Sequence, residues 1–279
     1  WFKGMRIAPY GKGWTFLQTS NIDLSQYGEG TGWAPIGRYG FQGTYDGQDH
    51  TITGLTINNA STSDIGLFSR NYGTIQNLSV EGGKIAGFEW TGGIVAQNHG
   101  TIQNVHMTGC DIQGNSFTGG SAGLSVGIVR NCSVTGGIDD GGVADISGAV
   151  GGIVGDNIRG YSAGTGVIEY CYSAVKIHNS KASEASAYGG ICGTNDGTIQ
   201  NCWSLSTVSG PSMVCGLVGS NTRDGSILQC AVLGSSVSYT NAAGPGSRIT
   251  YAKSGTGSIE QVYAWSGMTV NGSTMEGQT

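Results

Sequence analysis

The sequence predicts an all-β chain wound as a parallel β-solenoid of about nine coils. Three observations predict it. The first is composition: 52 Gly among 279 residues, 4 Pro and only 11% charged residues. So much Gly opposes long helices, and so little Pro excludes a collagen-like helix. An apolar share of 38% with a net charge of −5 is too apolar and too weakly charged for disorder. The second is an internal repeat. Gly73-Thr74-Ile75-Gln76-Asn77 recurs as Gly100-Thr101-Ile102-Gln103-Asn104 and as Gly197-Thr198-Ile199-Gln200-Asn201. The third is a period of two along each copy, the signature of a strand with one buried face.

Taking the Ile of this unit as a marker gives Ile52, Ile75, Ile102, Val129, Ile168, Ile199, Ile227 and Ile259. Slot +3 after the marker is apolar throughout: Leu55, Leu78, Val105, Cys132, Cys171, Cys202, Cys230 and Val262. Slot +5 is apolar or small: Ile57, Val80, Met107, Val134, Ser173, Ser204, Val232 and Ala264. Slot +2 holds Gly54, Asn77, Asn104, Asn131, Tyr170, Asn201, Gln229 and Gln261. Asn and Gly tolerate left-handed backbone, so slot +2 reads as a bend. Stacked Asn side chains there would form a hydrogen-bonded ladder.

A second pattern precedes the marker: Gly92-Gly93-Ile94-Val95, Gly151-Gly152-Ile153-Val154, Gly189-Gly190-Ile191-Cys192 and Cys215-Gly216-Leu217-Val218. Asn98, Asn157, Asn195 and Asn221 follow, which is strand and turn chemistry. Several short strands per repeat fit coils stacked at about 4.8 Å, a rod of roughly 40 to 45 Å. Leucine-rich repeats and propeller blades share the period but not the residue pattern.

In order, residues 1–279 read as one β-helix domain. Residues 1–40 form an N-terminal cap and opening coil, residues 41–265 the repeated coils, and 266–279 a C-terminal tail. Insertions stretch the coils at 136–166 and 178–188. The tail, with Val270-Asn271-Gly272-Ser273-Thr274-Met275, is polar and shows no helix. It either drapes over the last coil or leaves that coil to another domain or subunit. The chain opens Trp1-Phe2-Lys3-Gly4 without a visible signal peptide and reads as a mature or excised segment.

The unit Gly-Gly-Ile-Val-x-x-Asn-x-Gly-Thr-Ile-x-Asn-Cys resembles the GLUG repeat of secreted and surface-anchored bacterial proteins. The stretch from Asn21-Ile22-Asp23-Leu24-Ser25 through Trp33-Ala34-Pro35-Ile36-Gly37 and Phe41-Gln42-Gly43-Thr44-Tyr45-Asp46-Gly47 to His50-Thr51-Ile52 resembles the opening coil of such proteins. The resemblance covers about residues 14 to 265 and departs at 136–166 and after 233. It implies a right-handed β-helix at a cell surface. It also implies the company of adhesins and of the repeat region of immunoglobulin-A-specific metallopeptidases. It carries no catalytic residues.

The sequence carries no recognisable catalytic constellation. Neither catalytic residues, nor a metal site, nor a cofactor is expected. His50, His99, His106 and His178 lack the His-Glu-x-x-His spacing of a metallopeptidase. No pair of carboxylates suits a glycosidase. Asp139, Asp140 and Asp145 lie in a Gly-rich loop that reads as solvated, with calcium as the open alternative. Cys132, Cys171, Cys202 and Cys230 share one inward slot. Their linear stacking suits neither a zinc tetrahedron nor disulfides, so they read as a core ladder. Cys110, Cys192 and Cys215 fall in other slots, and a Cys192–Cys215 bond stays open. Clustered Lys and Arg are missing, so no nucleic-acid partner is expected. No apolar run spans a membrane.

The sharpest functional signal is outward. Slots +4 and +6 are polar in the early coils and aromatic or apolar in the late ones: Tyr172, Trp203, Leu205, Leu233, Tyr263 and Trp265. Such a strip does not face water without a reason. Three readings stay open: the insertions fold over it, a subunit or domain packs on it, or a glycan stacks on it. The functional expectation is a non-enzymatic extracellular or cell-surface scaffold or adhesive module, part of a larger protein. Its partners would be a host or surface glycan or protein. The solenoid ends suggest end-to-end self-association or a neighbouring domain at the C-terminal coil. The rivals are an accessory domain of a secreted metallopeptidase, a filament subunit and a polysaccharide-processing enzyme.

Overall fold

The computed structural model describes residues 11–139, 148–160, 166–179, 186–241, 244–251 and 255–274. A regular coil has five short segments, here named a to e. In the coil of Ile102, segments a, b and c are 101–103, 105–108 and 111–113 within the strand Thr101–Gln113; d is Thr118–Gly119 and e is Ala122–Ser125. Segments a to c of successive coils join one large sheet, while d and e build two smaller ones. Among the described residues every strand pairing is parallel except the last.

The register shows how the repeat was made. Column a runs Phe16, Tyr45, Ile75, Ile102, Val129, Ile168, Ile199, Ile227 and Ile259. Those positions span about eight turns of a β-solenoid. Column c runs from Ile57 and Ile85 through Ile112, Ile138, Ile177, Val208 and Val237 to Val270. Like sits on like, and the interior is a continuous aliphatic stack. Each fully buried aliphatic side chain contributes about 2 kcal/mol.

One marker was misplaced by the sequence. Tyr45, not Ile52, sits opposite Ile75, and Ile52 sits opposite Val80. The register shifts between Asp46 and His50, because Gly47, Gln48 and Asp49 occupy the bend that one Asn fills in later coils. Gln48 and Asp49 both take positive φ, 48° and 61°. The first-unit slots of Gly54, Leu55 and Ile57 therefore move as well. Gly54 (φ 68°) belongs with Gly82 (68°) and Gly109 (63°) in a second left-handed bend between b and c, a conformation that Gly adopts without steric cost.

The bend at slot +2 is as expected. Asn77, Asn104, Asn131, Tyr170, Asn201, Gln229 and Gln261 all have φ between 49° and 55°. In the early coils their amides form the expected ladder: Asn131 Nδ2 donates to Asn104 Oδ1 (2.7 Å) and Asn104 Nδ2 to Asn77 Oδ1 (3.0 Å). Asn77 Nδ2 ends the ladder on Asp46 Oδ1 (3.0 Å), and Gln76 Nε2 donates to Asp46 Oδ2 (2.8 Å). Desolvation alone would raise the Asp46 pKa. The hydrogen bonds from the Gln48 N–H, Gln76 and Asn77 outweigh it and lower the pKa.

A second amide ladder was not foreseen, because its members read as turn residues. Asn71, Asn98, Ser125, Asn157, Asn195 and Asn221 stack at the end of segment e, all buried. Asn71 Nδ2 donates to Asn98 Oδ1 (2.9 Å), and Asn98 Nδ2 to Ser125 Oγ (3.1 Å). Asn157 donates to Asn195, and Asn195 to Asn221, both at 2.7 Å. The chain breaks at Ser125, too short to reach on, and leaves Asn157 Oδ1 buried without a donor. The Gly-Gly pairs sit where d turns into e. A Cβ on Gly92 or Gly151 would overlap the carbonyl oxygen of Val95 or Val154.

The Cys ladder is core. Cys132, Cys171, Cys202 and Cys230 are buried, and each thiol lies near the carbonyl two residues back: Arg130, Glu169, Gln200 and Leu228, at 3.1 to 3.2 Å. A thiol is an apolar group with a weak donor, which suits this slot. All seven Cys are free and buried. Cys192 lies in segment e and Cys215 in segment d.

The extra chain length is narrower than expected. Strands occupy Ser133–Asp139, Ala149–Gly151, Val154–Asn157, Val167–Glu169, Tyr172–His178 and Ala187–Gly189. Only the corners after segment c and after segment e are lengthened. Asp140 and Asp145 of the loop considered for calcium, most of the expected cap at residues 1–13, and Met275 lie outside the described residues. The tail is a hairpin: Thr269–Val270 adds to column c and pairs antiparallel with Ser273–Thr274. Asn271 (φ 48°) and Gly272 (φ 78°) form its two-residue turn, the Asn-Gly type I′ hairpin.

Candidate recognition surface

Segment b presents slots +3 and +5 inward and slots +4 and +6 outward, so the outer face is two parallel columns of side chains. The slot +4 column runs His106, Ser133, Tyr172, Trp203, Ala231 and Tyr263. The slot +6 column places Ala174, Leu205, Leu233 and Trp265 beside its later members. All six residues singled out from the sequence thus fall on one face of four consecutive coils.

Five of them are exposed: Trp203 39%, Leu205 46%, Leu233 50%, Tyr263 65% and Trp265 50%. Tyr172 is half-buried beneath Trp203. Their rings stack with centroids 5.4 Å apart and planes 7° from parallel. The described residues do not cover the strip. The lengthened corners follow segments c and e, whereas the strip lies on segment b, just after the left-handed bend at Tyr170, Asn201, Gln229 and Gln261.

The early coils show the polar counterpart of the same face. His106 Nδ1 lies 2.8 Å from Ser133 Oγ, so that column satisfies itself across coils. The change falls between Val129 and Ile168. There Arg130 pairs with Glu169 (3.2 Å), and Gln200 Nε2 donates to Glu169 Oε2 (2.8 Å). Tyr170 replaces Asn in the slot +2 ladder and ends it, and the residue is exposed.

Beyond Tyr170, Asn201, Gln229 and Gln261 continue slot +2. Among the described residues their amides take part in no side-chain hydrogen bond. Together with Cys230, Ala231 and Tyr263 they line a shallow, open concavity. The ladder expected along slot +2 therefore forms only from Asn77 to Asn131 and does not extend to Asn201, because Tyr170 interrupts the column. The recurrence of Asn201, Gln229 and Gln261 beside the aromatic column was the available signal.

Titratable chemistry lies elsewhere. Asp156, on segment e, is pushed up to about 6 by burial; the hydroxyl of Thr194 donates to it and partly offsets that. His99 stacks on Tyr72 (4.6 Å, 8°), and burial lowers its pKa. Among the described residues, no group of three or more His, Cys, Asp or Glu is placed to hold a metal ion. No helix among them is long and apolar enough to cross a membrane.

Fold and surface together define a β-solenoid repeat protein with an aromatic outer strip. No protein-family model matches the chain, and no solved structure does. One curated relative, of Evansella cellulosilytica, is described as a "putative Gly-rich membrane protein" and is 38% identical over 81 residues. The match takes in 27% of this chain and 9% of that protein.

Proposed function

We propose that this chain is a non-enzymatic scaffold, extracellular or held at a cell surface, that displays a recognition strip on its C-terminal coils. The observation that carries this reading is the exposure of five large apolar side chains on one regular face. Scattered exposed apolar residues are ordinary, whereas a contiguous patch marks an interaction site. A solenoid is suited to the task because it fixes ligand-contacting side chains at constant spacing on a stiff sheet. The GLUG-like repeat and the membrane description of the relative support a place at the cell envelope.

The test is binding of the labelled protein to a printed array of glycans and extracellular-matrix proteins, in parallel with Trp203→Ser/Trp265→Ser. We expect the variant to lose binding while it still folds cooperatively, its melting temperature falling only modestly through the lost Tyr172–Trp203 stack. Unchanged binding, or no binding by the parent to any printed probe, overturns the reading. A variant that only melts earlier would make the strip part of the core.

A second reading has its own observation. Strands Ile259–Glu260 and Tyr263–Ala264 have no partner on their C-terminal side among the described residues, and Ile259, Val262 and Ala264 are only half-buried there. Open parallel edges template further pairing. Light scattering over a concentration range, with electron microscopy of the same samples, tests for end-to-end stacking. Rods that lengthen with concentration support it, and a monomer at every concentration rejects it.

A further inference from the structure

We propose that the break in the aromatic column at Ala231 is the seat of a terminal, uncharged sugar ring. This rests on the reading of the strip as a recognition surface and names the ligand class it takes.

Tyr172 and Trp203 stack nearly parallel and occupy successive coils in register. Their ring faces therefore point along the rod rather than out to solvent, and the faces within the stack are spent. The next rung is Ala231, and Tyr263 follows it. The far face of Trp203 is thus left without an aromatic neighbour. Two coil steps place the Trp203 and Tyr263 rungs about 9.5 Å apart. That interval is about twice the shortest ring-stacking separation of 4.5 Å, so it admits one ring inserted edge-first, with a rung on either side. A sugar ring is thicker than an aromatic ring and fills such a gap more fully.

The walls of the notch identify the chemistry. On the bend side stand the amides of Asn201, Gln229 and Gln261, which line the concavity with Ala231 and Tyr263. Their earlier counterparts, Asn77, Asn104 and Asn131, spend their amides on one another. These three are open, and each amide offers two donors and an acceptor to a hydroxyl-rich ligand. The other wall, at slot +6, is Leu205 and Leu233, an apolar surface for the C–H face of a sugar. Slots +2, +4 and +6 of the last four coils carry no charged side chain. A phosphate, sulfate or carboxylate would be desolvated there without a counter-charge, at a cost. The ring is a chain end because insertion between rungs leaves only its outer edge free to carry further units.

The experiment uses the full chain and immobilised neutral oligosaccharides, with their sialylated and sulfated forms as controls. Binding is read by surface plasmon resonance and by Trp fluorescence. We expect at least one neutral glycan to bind and to shift Trp emission, and charged forms to bind more weakly. Ala231→Trp fills the notch on an outward position and should weaken binding about tenfold, roughly 1.4 kcal/mol, without lowering the melting temperature. Gln229→Ala/Gln261→Ala tests the amide wall by a route that does not fill the notch, and should also weaken it. Absence of neutral-glycan binding, preference for charged glycans, or full binding by Ala231→Trp overturns the proposal. Should Trp203→Ser/Trp265→Ser abolish binding to a protein probe that Ala231→Trp still binds, the strip stands as a recognition surface and the sugar seat falls. Should every variant bind like the parent, both fall.

Discussion

The coils from Ile75 to Val129 and those from Ile168 to Ile259 share their inward columns and differ on the outer face. In the first group the bend amides bond to one another and His106 meets Ser133. In the second group the amides are open and the same face carries Trp203, Leu205, Leu233, Tyr263 and Trp265. The interior repeat and the exterior repeat are thus under separate constraints. The interior repeats because each coil must match the one below it. The exterior need not, and in the early coils it bonds to itself while in the late coils it is left available.

Substitutions test whether the two groups of coils differ only on the outside. The largest effect should come from the buried amide ladder, which serves both groups alike. Asn195→Ala strands the Asn157 donor and the Asn221 acceptor and should cost about 3 kcal/mol in chemical denaturation. Asn98→Ala, in the early coils, should cost a similar amount. A cost confined to one group would show that the interiors are not equivalent.

Next is Asp156. Burial raises its carboxyl to about 6, above the ordinary value of 3.8, so the folded chain holds this proton more tightly than the unfolded chain. Its contribution to stability is therefore fully present below pH 4 and is lost as pH rises through 6. Asp156→Asn should stabilise by about 2 kcal/mol at pH 7 and by nothing at pH 4. Denaturant melts at the two pH values check it. Asp46 has the opposite sign: its lowered pKa adds stability at neutral pH that fades as pH falls through the folded value.

A smaller, stabilising effect is expected of Ser125→Asn. The longer side chain would accept from Asn98 and donate to the orphan Asn157 Oδ1. Joining the two halves of the ladder should add about 1 kcal/mol. The smallest effects are expected on the outer face: Trp203→Ser loses its stack on Tyr172 and should cost about 1 kcal/mol, and Trp265→Ser should change stability by no more than about 0.5 kcal/mol. A larger loss there would mean that the strip packs against part of this chain.

Much of this was legible in the sequence. Slots +3 and +5 declared the buried face because their apolar residues recur with a period of two. Slot +2 declared the bend because Asn, Gln and Gly recur where an alternating strand should not bend. Ile52 misled because the early bend is built from Gly47, Gln48 and Asp49, so matching Ile to Ile skipped residues that sequence spacing alone does not reveal. The buried Asn column was visible as Asn98, Asn157, Asn195 and Asn221 at one fixed distance from Gly-Gly. Burial of a polar residue depends on a partner in the next coil, which single-residue chemistry does not supply. The terminal hairpin was written in Asn271-Gly272 and overlooked among other polar residues. The strip was legible in composition and position, the notch only in part. Ala231 already stands between Trp203 and Tyr263 in the slot +4 order, but the stacked geometry of Tyr172 and Trp203, which leaves one face of Trp203 open, is visible only in the structure.

The seven buried thiols have a further use. Burial pushes Cys110 and Cys215 up to about 12, and it raises Cys171 and Cys192 as well, so none of these four reacts while its coil stays closed. Together with Cys132, Cys202 and Cys230 they mark five consecutive coils, from that of Ile102 to that of Ile227. A thiol-reactive label followed by peptide mapping would time the opening of each level. The molecule thus carries its own graduated scale for measuring from which end the rod frays.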